Sequence, residues 1–245
     1  MMNLYNNSAR PDNTLTELVF ILDRSGSMYD LTGDTIGGFN SMIREQKAKP
    51  GRAVVSTVLF SDRSMVLHDR MLLDNIPVMT PADYIPDGST ALLDAIGDAV
   101  KHIRTVHRYI RPEDLPARTL FIITTDGMEN SSRRYSYNDV KQLIEQQKAK
   151  GWEFLFLGAN MDAVATASRF GIGCDRAVTY CCDSAGTRLN YQVVSDVVGQ
   201  FRCGAPMAAN WMAPIQADNQ RRGGYQGQGA VSPTPRKTRR WPWQR

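Results

Sequence analysis

The sequence alternates short apolar runs with longer amphipathic segments, and this alternation most strongly limits the possible fold. The clearest run, residues 18–22, is too short for a helix and apolar throughout, as in a strand buried on both faces. Similar runs occupy residues 53–60, 119–123 and 154–157, with a weaker one at 176–180. Because parallel strands are joined through helices that cover the sheet, the pattern predicts an α/β protein with a doubly wound, mostly parallel sheet and helices on both faces.

One strand is predicted to break the parallel order. Residues 65–68 follow the run that ends at Phe60 after only the polar turn Ser61-Asp62-Arg63-Ser64. Such a short connection is typical of a hairpin, since a parallel crossover needs many more residues. We therefore expect an antiparallel strand at one edge of the sheet.

Five segments have the apolar spacing of helices. They span about residues 35–49, 92–106, 138–144, 162–170 and 189–201. Asn138 and Asp162 are candidate N-caps, and Gly171 is placed to end the fourth helix. The first helix contains Gly37 and Gly38, each of which costs about 1 kcal/mol relative to alanine. Paired glycines there favour close approach by a neighbouring element.

Charge is distributed unevenly along the chain. The 245 residues carry a net charge of +4 from 29 basic and 25 acidic side chains. Seven basic residues and no acidic ones lie from Asn219 onward, which leaves 22 basic against 25 acidic residues before it. Together with a shift to Gly, Pro and Gln after Cys203, this predicts a flexible arm over 1–14, one folded domain over 15–203 and a disordered basic tail over 204–245.

The end of the tail interleaves cations with tryptophans, a combination that can contact nucleic acid or an anionic membrane. The residues concerned are Arg236, Lys237, Arg239, Arg240, Trp241 and Trp243. A solvated tail that only keeps the protein soluble is an equally good interpretation.

The sequence favours a cytoplasmic location. It contains no run of 18 apolar residues, and residues 1–13 lack the apolar core of a secretory signal. The four cysteines include no CxxC pair, so we expect no zinc site and interpret Cys174, Cys181, Cys182 and Cys203 as small buried apolar residues.

Oxygen-bearing side chains cluster at the predicted ends of two strands and the start of a helix. The segments are DRSGS at 23–27, DGST at 87–90 and TTDG at 124–127. Taken singly, each is a common turn or helix cap. Taken together at one edge of a parallel sheet, they form a candidate site for Mg²⁺ or Mn²⁺, which prefer hard oxygen ligands. The candidate metal residues are Asp23, Ser25, Ser27, Thr90 and Asp126.

These three motifs together resemble those of the von Willebrand factor type A (VWA) domain, and the resemblance extends over about residues 15–203. It implies a Rossmann-like fold with a metal-ion-dependent adhesion site (MIDAS). It also implies that Ser25 and Ser27 bind the ion directly and Thr90 directly or through water. Asp23 and Asp126 would then act through ordered water.

The resemblance and the ligand chemistry predict an intracellular, metal-dependent protein-binding module. Neutral hydroxyls only partly offset the charge of the ion, so an Asp or Glu of a protein partner can supply a missing ligand. The alternative is a VWA subunit or adaptor of a larger assembly, such as a ring ATPase or a kinase/phosphatase stress-response system, with the basic tail contacting nucleic acid or membrane.

Catalysis is not expected. The sequence has no GxSxG or GxxxxGK[ST] motif, and its three histidines fall on other segments, so we expect no small-molecule substrate.

Around the site, Met28 and Tyr29 can either contact a partner or anchor the loop. Glu129 can either adjust the charge of the site or be solvated.

Overall fold

The computed structural model describes residues 15–223. The arm predicted over 1–14 and the cluster of Arg236, Lys237, Arg239, Arg240, Trp241 and Trp243 lie outside the described residues.

A single six-stranded sheet forms the centre of the domain. Its strands are β1 (Thr16–Asp23), β2 (Ala53–Phe60), β3 (Ser64–Leu72), β4 (Arg118–Thr125), β5 (Glu153–Ala159) and β6 (Ala177–Tyr180). Their order across the sheet is β3-β2-β1-β4-β5-β6, and β3 at the edge is antiparallel to β2 while the other pairings are parallel. The mostly parallel sheet with one antiparallel edge strand is therefore confirmed.

Helices cover both faces of this sheet. They are α1 (Thr32–Lys47), α2 (Leu92–Tyr109), α3 (Tyr137–Lys148), α4 (Ala163–Arg169), α5 (Ser184–Arg202) and α6 (Ala213–Arg221). Alternate residues of β1 enter two separate cores: Leu18 and Phe20 face α1, α5 and α6, whereas Val19 and Ile21 face α2, α3 and α4. This double burial explains why the run in β1 is apolar throughout.

The sequence predicted the N-cap residue of α4 correctly and that of α3 incorrectly. Asp162 caps α4, because its side chain accepts a hydrogen bond from the backbone of Ala165. The prediction that Asn138 caps α3 was wrong. Ser136 is the N-cap, and it forms a capping box with Asp139, so the hydroxyl and the carboxylate each satisfy a backbone N–H of the first turn.

The two glycines of α1 have different surroundings. A Cβ built on Gly38 would lie 2.3 Å from Cδ2 of Tyr191 in α5, whereas one on Gly37 would meet nothing within 4 Å. The expected close approach therefore exists at Gly38, where α1 and α5 pack against each other. Gly37 is not needed for packing.

The expectation of a disordered segment from Gly204 was wrong for residues 204–223. Helix α6 packs against the sheet, and Trp211, Met212 and Ile215 are buried in the same core as α1 and α5. The Trp211 indole also donates a hydrogen bond to the carbonyl of Asp175 at 2.9 Å. Burial of these three apolar side chains favours packing of the segment onto the core, although the surrounding composition is polar.

The strand order places two loops side by side at one edge of the sheet. The chain leaves β1 toward β2 on one side, while β4 lies on the other side of β1. Such a change of direction opens a crevice at the carboxyl ends of the strands, where α/β proteins bind ligands. Within residues 15–223, no helix is both long and apolar enough to cross a membrane.

Candidate metal centre

The loop after β1 brings three candidate residues together. Asp23 ends the strand, and its Oδ1 accepts a hydrogen bond from the backbone N–H of Ser25 at 2.7 Å. A 3₁₀ turn begins at Gly26, and it places the hydroxyl of Ser27 3.1 Å from that of Ser25. The two hydroxyls therefore lie next to each other.

The loop after β4 adds the second carboxylate. Ser27 Oγ donates a hydrogen bond to Asp126 Oδ1 at 2.7 Å, and Thr125 Oγ1 donates one to Asp23 Oδ2 at 2.5 Å. These two contacts join residues about a hundred positions apart in the chain. They place Asp23 and Asp126 on either side of the serine pair.

A third loop, which leads into α2, brings Thr90 to the same place. Gly26 N donates a hydrogen bond to Gly88 O at 3.0 Å, and Gly88 has a φ of +72°, which favours glycine. The Thr90 hydroxyl lies against the second loop, since a Cβ built on Gly127 would be 3.0 Å from Thr90 Oγ1. Thr90 is not the cap of α2, because Ala91 holds that position.

Both carboxylates are buried without a basic partner. Burial raises the pKa of Asp23 to about 6, against the hydrogen bonds from Thr125 and Ser25, and nearby Asp126 raises it further. Burial also raises the pKa of Asp126. No lysine or arginine within residues 15–223 forms an ion pair with either group. A cation between them would stabilise their charged forms.

The donor set fits a hard divalent ion. It consists of two carboxylates and three hydroxyls, so every candidate ligand atom is an oxygen. Over the described part of the chain there is no group of three or more His, Cys, Asp or Glu side chains arranged to hold a metal.

Glu129 and Asn130 support the site in a way that sequence reasoning missed. Glu129 accepts hydrogen bonds from the backbone of Leu93 at 2.9 Å and of Ser132 at 2.7 Å, so it fastens its loop to the start of α2. Asn130 Oδ1 accepts a bond from the backbone of Thr90 at 2.9 Å. Glu129 therefore acts as an anchor rather than as a solvated side chain. The available signal in the sequence was a polar pair separated from TTDG only by Met128.

Two further residues contact the site from elements distant in sequence. The Tyr84 hydroxyl donates a hydrogen bond to the backbone carbonyl of Asp23, and Cys182 Sγ lies 3.8 Å from Asp126 Oδ2. Burial raises the pKa of Cys182 to about 11.

The expectation that the cysteines are buried was wrong, because Cys174 and Cys203 are exposed and Cys181 and Cys182 only partly buried. Cys174 lies in a short 3₁₀ helix and Cys203 directly follows α5, while the partly buried Cys182 packs against the core.

Exposed apolar side chains surround the candidate ligands. Tyr29, Met128 and Ile85, one from each of the three loops, are 75%, 69% and 57% exposed. Met28 is instead buried in the core, so it anchors its loop. The Arg24 guanidinium donates a hydrogen bond to the carbonyl of Ile85 at 3.0 Å, which fixes that part of the rim.

Comparisons with known proteins identify the fold. No protein-family model matches the sequence, and no curated protein is significantly similar to it. Among solved structures, the pilus adhesin SpaC from Lactobacillus rhamnosus GG superposes with a TM-score of 0.59 at 10% identity over 78% of this chain and 31% of its own. The vWF domain of the pili tip protein Mfa5 from Porphyromonas gingivalis gives 0.52 at 10% identity, over 75% and 94% of the two chains.

A third similar structure is proximal thread matrix protein 1 from the mussel byssus, with a zinc-occupied MIDAS motif. Its TM-score is 0.51 at 15% identity, and the match covers 75% of this chain and 46% of that one. The chain thus matches less than half the length of this protein and of the pilus adhesin. At these identities the comparisons establish the architecture alone.

Proposed function

Because the chain has the fold of a von Willebrand factor type A domain, we propose that it is a binding module that uses a divalent cation to capture an acidic residue of a protein partner. Asp23, Ser25, Ser27, Thr90 and Asp126 would hold the ion. Since all the donors are hard oxygens, Mg²⁺ or Mn²⁺ is the expected ion.

The observation that carries this proposal is the meeting of three loops at one point. Ser27 lies within hydrogen-bond distance of both Ser25 and Asp126, and the Thr90 hydroxyl lies against Gly127. Loops from such distant parts of the chain bring hydroxyls and carboxylates together without a basic residue to balance them. A bound cation would account for this arrangement.

The partner's chemistry follows from charge and from the rim. A divalent ion held mainly by hydroxyls keeps part of its charge, and it attracts a carboxylate as a further ligand. The exposed Tyr29, Ile85 and Met128 offer apolar contact around that point. We expect the partner to present an Asp or Glu with apolar neighbours, because aromatic and methionine side chains are typical of interface centres.

A binding role is favoured over catalysis by the position of the histidines. His68 contacts Thr57, His102 contacts Asp69, and His107 contacts Glu17, all away from the serine pair. Ser25 and Ser27 thus have no imidazole base beside them in the described residues. The cytoplasmic location, the adaptor role in a larger assembly and the contacts of the basic tail remain predictions from the sequence.

Metal binding is tested first, by titrating the protein with Mg²⁺ and Mn²⁺ in a calorimeter. The wild type should bind one ion, and Ser25→Ala and Asp126→Asn should lose most of the affinity. Asp30→Asn is the matched control, because Asp30 is an exposed carboxylate in the same loop as Ser27. Equal binding by all four proteins would refute the assignment of the site.

Partner recognition is tested by selecting displayed peptides on the immobilised protein with Mg²⁺ or with EDTA. Peptides enriched only with Mg²⁺ should contain an Asp or Glu, and its change to Asn or Gln should abolish binding. A variant with Tyr29→Ala and Met128→Ala should keep its metal affinity but bind these peptides more weakly. Enrichment that is the same in EDTA would contradict the metal-bridged contact.

A further inference from the structure

A cavity of about 710 Å³ lies at the opposite edge of the sheet from the candidate metal centre. Its walls come from the C-terminal end of α2, the connection from α2 to β4, the start of β4 and the turn from α3 to β5. The metal candidates follow the carboxyl ends of strands, whereas this cavity surrounds the amino ends of β4 and β5. Its volume falls within the range of about 300–1,000 Å³ that is usual for small-molecule sites.

The cavity is lined by cations that have no acidic partner. Arg104 and Arg108 come from α2, Arg118 begins β4, and Lys150 lies in the turn before β5. Within residues 15–223, none of these four side chains forms an ion pair. Four unpaired cations around one cavity repel each other, and a bound anion would stabilise them.

Nearby carboxylates are already bound to other groups. Glu113 and Asp114, in the connection from α2 to β4, pair with Arg111 at 3.6 Å and 2.7 Å. Glu17 is fully buried, and it accepts hydrogen bonds from Arg70 and from His107. These acids therefore do not neutralise the cations of the cavity.

The helix dipole explains only part of this arrangement. Arg108 lies in the last turn of α2, where a positive side chain is favoured beside the free carbonyl groups. Arg118 and Lys150 belong to other elements, and no helix end accounts for them. Their convergence with Arg104 is a property of the tertiary structure.

The base of the cavity is rigid and aromatic. Trp152 is buried, stacks on Phe121 with ring centroids 5.5 Å apart, and meets the edge of the His107 ring at 5.0 Å. Tyr109 at the rim is 76% exposed. The floor is thus fixed by packing, the charged side chains surround it, and the cavity is large enough for a ligand of nucleotide size.

We propose that this cavity binds a small molecule that carries several phosphate groups, either a nucleoside triphosphate or an inorganic polyphosphate. Arginine and lysine are the side chains that recognise phosphate, by forked hydrogen bonds and by charge respectively. The site is separate from the metal centre and does not depend on the function proposed for it.

The test measures binding of ATP and of inorganic tripolyphosphate to the full chain by calorimetry. EDTA is included, since a triphosphate could otherwise bind through a metal ion at the other edge. Binding of both ligands indicates recognition of the phosphates alone, and binding of ATP only indicates that Tyr109 or another wall also recognises the nucleoside.

The deciding variant is Arg104→Gln with Lys150→Gln. Loss of two charge-assisted contacts should weaken binding at least about tenfold, and added salt should weaken wild-type binding as well. The matched control is Arg44→Gln with Arg63→Gln, which removes the same charge from exposed positions outside the cavity. Thermal unfolding of both double variants checks that they fold.

Three results would overturn the proposal. In the first, neither ligand binds at millimolar concentration. In the second, the Arg104/Lys150 double variant binds as tightly as the wild type. In the third, the control double variant loses as much affinity as the Arg104/Lys150 double variant. Binding of a single-stranded oligonucleotide without binding of either small ligand would also overturn it and would point to nucleic acid. Since the full chain keeps its basic residues after Asn219, the comparison between variants decides the question.

Discussion

The two neighbouring glycines of α1 should respond in opposite ways to alanine. An alanine Cβ at position 38 would lie 2.3 Å from Cδ2 and 2.7 Å from Cγ of Tyr191. Carbon atoms in ordinary contact are about 3.5–4.0 Å apart, so the helices or the ring must move. Tyr191 is buried in the core where α5 packs against α1, so displacing its ring disturbs that packing.

The expected magnitudes follow from two terms. Alanine in place of glycine favours a helix interior by about 1 kcal/mol, and both substitutions gain this amount. Overpacking a core costs about 1–3 kcal/mol, and only Gly38→Ala incurs it. For so close a contact we take the upper value, so Gly38→Ala should lower the free energy of unfolding by about 2 kcal/mol. Gly37→Ala should raise it by about 1 kcal/mol.

Urea denaturation followed by circular dichroism measures both changes. The midpoints should move in opposite directions while the dependence on urea stays the same, since the fold is unchanged. Replacing Tyr191 with leucine should remove the obstacle, so the Gly38→Ala change should cost less in that background. Equal stability of the two alanine variants, or the same cost with and without the ring, would refute the packing argument.

Three other changes test the remaining assignments. Ile215→Ala should lower the free energy of unfolding by about 2–4 kcal/mol, because Ile215 is buried. Thermal or urea unfolding measures this change, and an unchanged value would mean that α6 does not contribute to the stability of the fold. In EDTA, stability should fall as pH rises from about 4 to above 6, because the pKa of Asp23 is raised to about 6 and the folded state holds this proton more tightly. Asp23→Asn should remove the part of that slope due to Asp23, while Asp126, whose pKa is also raised by burial, keeps its own part. The same change should stabilise the metal-free protein near pH 7 by about 3 kcal/mol, at the expense of metal binding; a variant with the full wild-type slope would contradict the assignment. Thr90→Val should reduce affinity for Mg²⁺ in calorimetry while changing the unfolding midpoint little, whereas unchanged affinity would remove Thr90 from the ligand set.

Local chemistry explains which parts of the fold could be predicted. The continuous apolar run of β1 indicated a strand buried on both faces, and the short polar turn before β3 indicated an antiparallel edge strand. Both patterns involve only a few neighbouring residues, so they can be recognised in the sequence without knowledge of the tertiary structure. The capping residue of α3 was missed because Asn138 and Ser136 are both good caps, and only the full first turn distinguishes them.

The folded end of the chain could not be predicted in this way. The stretch after Cys203 is polar on average, and its fold depends on Trp211, Met212 and Ile215 reaching a core formed by distant elements. Composition averages over a window, whereas burial depends on what lies opposite each side chain.

The sequence by itself determined the class of fold and the candidate ligands Asp23, Ser25, Ser27, Thr90 and Asp126. Strand ends are fixed by local patterning, and parallel order then places these residues at one edge of the sheet. Only the tertiary structure decided which glycine is needed for packing, and that Glu129 and Asn130 hold the site together. It alone brought the unpaired cations of the opposite edge around one cavity. Contacts between residues far apart in the chain depend on how helices pack, and no local pattern records that packing.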